Sequence, residues 1–153
     1  MAAFEWVPAT AEDIPFLAAH ARQADCDELW ASARMTPAEA MEYGLNHSEE
    51  CWVGKIHGEP VCMFGVALCD WSTAYGAAWM VGTDGIDAHP AAFLKGSRAA
   101  IARMLHVRPV LCNFVDARHE KAIRWLKLLG ATFQAARPYG EANLPFHFFE
   151  LRG

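Results

Sequence analysis

The chain has 153 residues, of which 54% are hydrophobic and 20% are charged, and it contains nine Phe and six Trp. This composition is too apolar for a disordered chain, and it supplies enough large side chains for one well-packed domain, which we expect to span residues 1–153. The formal net charge of −5 excludes a broad phosphate-binding surface, because non-specific nucleic-acid binding depends on clustered Lys and Arg.

The sequence also argues against several locations and kinds of site. The first residues, Met1 to Glu5, lack the basic region and apolar core of a secretory leader, and no run approaches the roughly 18 apolar residues of a membrane span. We therefore expect a cytoplasmic protein with no membrane partner. The seven histidines show no zinc-type spacing, and the five cysteines contain no C-x-x-C pair. We expect no metal centre, and buried free thiols rather than disulfides.

The first half of the chain predicts a strand, two helices and a three-strand meander. The strand covers Phe4 to Val7, and a helix begins after Thr10, whose spacing to Asp13 is that of a helix cap. A second helix has Pro37 at its first position, after a capping threonine, and we expect it to end near Leu45. The three strands of the meander are predicted over Cys51 to Ile56, Val61 to Cys69 and Tyr75 to Thr83.

The second half of the chain alternates helix and strand. Ala91 to His106 carries apolar residues at helical spacing, although Gly96 lies inside it. Val110 to Val115 is a continuous apolar run, which is typical of a strand buried on both faces. Glu120 to Leu129 is an amphipathic helix that Gly130 ends. Two closing strands are predicted over Thr132 to Ala136 and Phe146 to Leu151.

The most informative stretch is the turn from the buried strand into the last helix, Asp116-Ala117-Arg118-His119. In open α/β sheets ligands bind at this end of a strand, because the first N–H groups of the following helix lack partners and favour anions. Asp116 either caps the helix or has a chemical role. His119 is either a site residue that titrates near neutral pH or a solvated first-turn residue. Both are candidate catalytic residues.

The element order β-α-α-β-β-β-α-β-α-β-β resembles that of the GNAT family of acetyl-CoA-dependent N-acetyltransferases, an α/β fold with a mixed sheet. The segment His119 to Ala122, together with Leu129-Gly130, resembles the strand-to-helix signature of that family. Three runs are similar to a phage and prophage branch of GNAT-like proteins that includes an internal virion protein of podophages. They are Trp79 to Thr83, Phe93 to Arg98 and Val115 to His119.

The resemblance implies that acetyl-CoA lies where the strand 75–83 diverges from the strand 110–115. Backbone groups of Met80, Val81 and Gly82 would then pair with the pantetheine arm. The diphosphate loop of the family, a Gln or Arg followed by two spaced glycines, would open the following helix. Its nearest match is Lys95-Gly96-Ser97-Arg98, which has one glycine. The alternative is that Lys95 and Arg98 are ordinary surface charges.

The resemblance implies transfer of acetyl from acetyl-CoA to a primary amine of a small molecule or protein by direct attack. The amine would be deprotonated by Asp116, His119 or a water that they hold. A tyrosine often protonates the leaving thiolate in the family, and Leu126 occupies its position here. Four aromatic residues belong either to an acceptor pocket or to the core: Trp71, Tyr75, Trp79 and Tyr139.

Two other functions stay open on the same scaffold. The first is a phage or prophage structural or host-interaction protein without turnover, whose partner is a virion or host protein and whose location includes the virion. The second is a sensor that binds CoA without turnover. A homodimer is also left open by the sequence.

Overall fold

The computed structural model describes residues 3–153, so the first two residues of the predicted domain lie outside the described residues. The strands are β1 (Phe4–Pro8), β2 (Ser48–Ile56), β3 (Glu59–Leu68), β4 (Tyr75–Gly82), β5 (Val110–Asp116), β6 (Thr132–Phe133), β7 (Arg137–Tyr139) and β8 (Leu144–Arg152). The helices are α1 (Ile14–Ala19), α2 (Gln23–Ala33), α3 (Pro37–His47), α4 (Gly85–Ala88), α5 (Pro90–Val107) and α6 (Glu120–Leu128). A 3-10 turn, Ala11–Asp13, precedes α1.

The strands form one mixed sheet in the order β1-β2-β3-β4-β5-β8-β6, and β7 also pairs with β8. β4 and β5 are parallel neighbours, whereas the other paired strands run antiparallel. A parallel pair needs a long crossover connection, which α4 and α5 provide here. This arrangement confirms the predicted mixed-sheet α/β fold.

The parallel pair β4 and β5 separates soon after it begins. The paired residues are Tyr75 with Val110, Gly76 with Leu111, and Ala77 with Cys112. Just beyond them, the side-chain amide Nδ2 of Asn113 donates to the carbonyl oxygen of Ala78 at 2.7 Å. β4 remains paired with β3 as far as Gly82, so the separation of the two strands opens the other edge of β4.

The sheet is covered on both faces by hydrophobic side chains. The larger cluster packs under α5 and α6, and the smaller cluster packs under α1 and α3. Successive residues of β4 point to opposite faces, as in any strand. Ala78 and Met80 contact the larger cluster, and Trp79 and Val81 belong to the smaller one. The open edge of β4 therefore lies between the two clusters.

Most predicted elements are confirmed, including the capping box at Thr36. α5 continues through Gly96 as one helix. The glycine makes room for the ring of Phe4, since a Cβ at that position would lie 2.2 Å from Cδ1 of Phe4. Four elements are additional to the prediction: the 3-10 turn before α1, and α2, α4 and β7. α2 was hidden in the sequence because the charged run Asp25 to Glu28 interrupts the apolar pattern.

Three further observations concern the part of the chain that the structure describes. No helix within residues 3–153 is both long and apolar enough to cross a membrane. The five cysteines, which all lie in this range, are free thiols, and burial raises the pKa of Cys62 to about 12. Between residues 3 and 153, no group of three or more His, Cys, Asp or Glu side chains is arranged to hold a metal ion.

Candidate active site

The separation of β4 from β5 opens into a cavity of about 570 Å³. Its walls come from both faces of the sheet, with Met80 and Phe93 on the α5 side and Trp79 on the α3 side. Apolar cavities of a few hundred Å³ with a small number of polar groups are typical of small-molecule sites. Four of the side chains on the walls form one polar cluster: Arg22, Asp25, Glu28 and His119.

Helix α2, which carries Asp25 and Glu28 and begins directly after Arg22, is held at both ends. At its beginning, the N–H of Arg22 donates to the carbonyl oxygen of Gly82 at 2.9 Å. At its end, the turn between β7 and β8 donates two N–H groups, from Glu141 to Ser32 O at 3.1 Å and from Ala142 to Ala31 O at 2.9 Å. These bonds satisfy carbonyls that a helix end leaves free. The helix is therefore fixed across the opening between β4 and β5.

Asp25 is the buried centre of the polar cluster. Its Oδ1 lies 2.7 Å from Nε2 of His119, its Oδ2 accepts from the N–H of Gly82 at 2.7 Å, and Nη2 of Arg22 donates to Oδ1 at 3.1 Å. Burial alone would raise the pKa of Asp25. The hydrogen bond to His119, the charge of Arg22 and the N–H of Gly82 outweigh burial and lower this pKa below its usual value. Asp25 is thus a carboxylate at neutral pH.

His119 is buried rather than solvated, and it joins α6 to α2. Its Nδ1 accepts a hydrogen bond from the N–H of Ala122 at 3.4 Å, which makes it the N-cap residue of α6. Because Nδ1 is an acceptor, the proton of the neutral ring resides on Nε2 and is donated to Asp25. Both ring nitrogens of His119 are therefore engaged within the protein.

Asp116 lies at the end of β5, where it is buried and paired with Arg118. The backbone N–H of Arg118 donates to Oδ1 at 2.9 Å and Nη2 donates to Oδ2 at 2.7 Å. Burial alone would raise the pKa of Asp116, but these hydrogen bonds and the charge of Arg118 lower it below its usual value. The carboxylate of Asp116 holds the turn before α6, and the helix cap is provided by His119 instead.

Glu28 is a site residue that the sequence analysis missed. It lines the cavity one turn after Asp25, and its Oε2 accepts from the N–H of Asp116 at 2.9 Å. Burial raises the pKa of Glu28 to about 7, and the charges of Asp25 and Asp116 add to the shift. The hydrogen bond from the backbone N–H of Asp116 and the electrostatic interaction with His119 oppose it. The side chain can therefore take up or release a proton near neutral pH. The i, i+3 spacing of two acidic residues in a helix was the available signal.

The open edge of β4 presents the backbone groups of alternate residues. The N–H of Thr83 donates to Val61 O at 2.8 Å, so Thr83 and Val81 face β3. The backbone groups of Met80 and Gly82 therefore face the open edge. Both backbone groups of Gly82 are occupied, by Asp25 and by the N–H of Arg22. Of the three predicted pantetheine contacts, Met80 presents its backbone groups on the open edge. Val81 faces β3, and the backbone groups of Gly82 are already bonded.

The predicted diphosphate residues Lys95 to Arg98 lie inside α5 rather than at its beginning. The helix begins at Pro90, so the N–H groups of this segment bond to carbonyls of the preceding turn. Ser97 is buried, where its hydroxyl donates to Phe93 O at 2.6 Å and accepts from Trp125 Nε1 at 3.1 Å. Lys95 and Arg98 are exposed. The expectation that these residues open the helix is not met, and their cofactor contact remains a prediction.

Two of the four aromatic candidates, Trp79 and Tyr139, line the cavity. Tyr139 stacks on Phe114 with ring centroids 3.8 Å apart, and burial raises the pKa of its phenol above the usual value. Leu126, at the position where the family often has tyrosine, is buried and forms an apolar part of the wall. Tyr139 is thus a phenol on the cavity wall, contributed by a different element.

No protein-family model and no curated protein matches the sequence. Among solved structures, aminoglycoside acetyltransferase AAC(6')-Ib in complex with coenzyme A is 14% identical, with a TM-score of 0.73 over 98% of this chain and 95% of that chain. Spermidine N-acetyltransferase from Vibrio cholerae in complex with CoA and spermine is 9% identical, with a TM-score of 0.71 over 97% of this chain and 95% of that chain.

At these identities the likeness establishes the fold and nothing finer. The separation of the parallel strands β4 and β5 is the feature of the sheet that is typical of this fold. The expectation from the element order is therefore confirmed: the chain has the fold of the GNAT acetyltransferases.

Proposed function

We propose that the protein is an acyl-CoA-dependent N-acyltransferase that moves acetyl from acetyl-CoA to a primary amine. The observation that carries the proposal is the opening between β4 and β5, which leads into a cavity where Glu28 has a pKa of about 7. A general base with a pKa near the working pH is the group that this reaction needs. Two solved structures with this fold hold CoA, one of them together with spermine.

Glu28 is the proposed base. Its carboxylate accepts a proton from the substrate ammonium, and the neutral amine nitrogen then attacks the thioester carbonyl carbon. The N–H of Met80, on the open edge of β4, donates to the carbonyl oxygen as negative charge develops there. When the C–S bond breaks, the phenol of Tyr139 donates its proton to the leaving sulfur. The nitrogen of the new amide loses a proton to solvent, the Tyr139 phenolate regains a proton from solvent, and Glu28 releases to solvent the proton that it took from the ammonium.

Asp116 and His119 act in this proposal as positioning residues. The N–H of Asp116 holds the Glu28 carboxyl at 2.9 Å, and His119 binds Asp25 at 2.7 Å on the same helix. Their predicted role as the base remains the alternative. The geometry favours Glu28, because the Asp116 carboxylate is paired with Arg118 and both nitrogens of His119 are engaged.

Thiol release from acetyl-CoA in the presence of primary amines tests the proposal. We expect the rate of the wild type to rise with pH, with an inflection near the Glu28 pKa of about 7. Glu28→Gln should lower kcat about 100-fold or more and lack this rise. The matched control Glu120→Gln, an exposed residue on α6, should behave as the wild type. If Asp116→Asn or His119→Asn abolishes the pH dependence and Glu28→Gln does not, the base is one of those two residues.

A second candidate is a phage or prophage scaffold protein that binds a virion or host protein without turnover. It is favoured by two of the predicted cofactor contacts. The backbone groups of Gly82 are already bonded within the protein, and Lys95 to Arg98 lie inside a helix. Co-purification with particles or a host protein, combined with an unchanged phenotype of Glu28→Gln, would support it. The cytoplasmic location expected from the sequence also stays a prediction.

A further inference from the structure

The side of the cavity formed by α2 and α3 is apolar and aromatic, and it reaches the surface. Tyr43 lines the cavity and is 54% exposed, so its ring lies at the rim. The imidazole of His47, also on the wall, stacks on that ring with centroids 3.9 Å apart. Further lining side chains in this region are Leu29, Met35, Ala40, Trp79 and Tyr139. A ligand entering here meets flat rings and aliphatic groups.

The charges on the walls limit the charge of that ligand. Within residues 3–153, the carboxyl groups that line the cavity are those of Asp25 and Glu28. The charge of Asp25 is balanced by Arg22 at 3.1 Å, and its oxygens are already bonded to His119 and Gly82. Glu28 is therefore the acceptor left for a ligand cation in this part of the chain, with one of its oxygens bonded to Asp116 N.

A polycationic amine is poorly matched to such a cavity. Each ammonium group that leaves water must regain hydrogen bonds and a countercharge, or its burial costs several kcal/mol. The described walls offer this to one ammonium. An aromatic body, in contrast, gains from apolar burial and from stacking against the rings at the rim.

We propose that the acceptor is an arylalkyl monoamine, with its ammonium at Glu28 and its ring against Tyr43 and the apolar residues of α2 and α3. This inference rests on the proposed function, because it names the substrate of the same site. The cavity of about 570 Å³ is large enough for such a molecule. The amine nitrogen would then lie at the end of the cavity where the proposed base is located.

Calorimetric titration in the absence of CoA tests the inference without requiring turnover. The probes are tryptamine and phenethylamine, the polycations spermidine and kanamycin, and tryptophol, which is a neutral analogue of tryptamine. We expect at least one of the two arylalkylamines to bind at least tenfold more tightly than either polycation and at least tenfold more tightly than tryptophol.

Variants locate the bound amine. Glu28→Gln keeps the shape of the side chain and an oxygen that can accept from Asp116, so we expect it to fold and to lose about tenfold in affinity for the arylalkylamine. Tyr43→Ala should weaken binding about fivefold. Trp71→Ala, which removes a 63% exposed aromatic ring outside the cavity, should bind as the wild type does.

Tighter binding of spermidine or kanamycin, wild-type affinity in Glu28→Gln, or no binding by either arylalkylamine would overturn the inference. The thiol-release assay distinguishes a failure of this inference from a failure of the proposed function. Arylalkylamine binding without thiol release would contradict turnover and retain the inference. Thiol release with spermidine alone would support turnover and overturn the inference.

Discussion

Two four-residue segments carry most of the predicted site residues, and they differ in what fixes their positions in the structure. Asp116 to His119 follows a buried strand and is joined to α2 by two long-range contacts, Asp116 N to Glu28 at 2.9 Å and His119 to Asp25 at 2.7 Å. Lys95 to Arg98 lies in the second turn of α5, where local helix bonds satisfy its backbone. The position of a residue after a buried strand is set by the sheet, whereas a loop motif depends on where the next helix begins.

The largest expected effect is at the centre of the first region. Asp25→Asn removes the nearer countercharge of the buried Arg22 guanidinium and leaves it with Asp87 at 3.9 Å, and it weakens the bonds to His119 and Gly82 N. We expect the free energy of unfolding to fall by about 3–5 kcal/mol, measured by urea denaturation. Asp27→Asn, an exposed residue of the same helix, is the control. A loss below about 1 kcal/mol would mean that the network does not hold α2.

The next effect is a pH dependence of stability. The raised pKa of Glu28, about 7 against 4.5, means that the folded state binds this proton more tightly than the unfolded state. The resulting stabilisation is complete below the unfolded pKa and is lost as the pH rises through about 7. We expect the wild type to lose up to about 3 kcal/mol relative to Glu28→Gln across this window. Parallel curves for the two proteins would contradict the burial of the Glu28 carboxyl.

A smaller effect is expected in the second region, at Gly96. The Cβ of alanine would lie 2.2 Å from Cδ1 of Phe4, so overpacking of about 1–3 kcal/mol should exceed the helix-propensity gain of about 1 kcal/mol. Chemical denaturation of Gly96→Ala, Phe4→Ala and the double variant measures the coupling. If the effects of the two changes simply add, Gly96 is not required by the packing of Phe4.

The smallest effect is expected for the exposed charges of that region. Lys95→Ala and Arg98→Ala should each change the free energy of unfolding by less than about 0.5 kcal/mol. Titration of the double variant with acetyl-CoA tests whether these two side chains contact the cofactor. We expect its Kd to stay within about twofold of the wild type. An increase of tenfold, about 1.4 kcal/mol, would place the diphosphate on this helix as the family resemblance implies.

Local patterns in the sequence were sufficient for most of the fold. Hydrophobic periodicity and capping residues predicted α3, α5, α6 and the strands β2 to β5 close to their observed bounds. The partners of His119 and Asp116 were beyond such patterns, because they lie 94 and 88 residues away along the chain. Glu28 gains its pKa from burial against β5, and that burial exists only after α2 has packed across the sheet.

The central claim is that acetyl-CoA binds in the opening between β4 and β5. Calorimetric titration with acetyl-CoA tests it most directly, using the wild type and Ala78→Phe, which places a ring where the two strands separate. Thermal unfolding of the variant checks that it is folded. We expect saturable binding by the wild type and a loss of at least tenfold in affinity in Ala78→Phe. No heat and no thermal shift of the wild type at millimolar acetyl-CoA would contradict the claim.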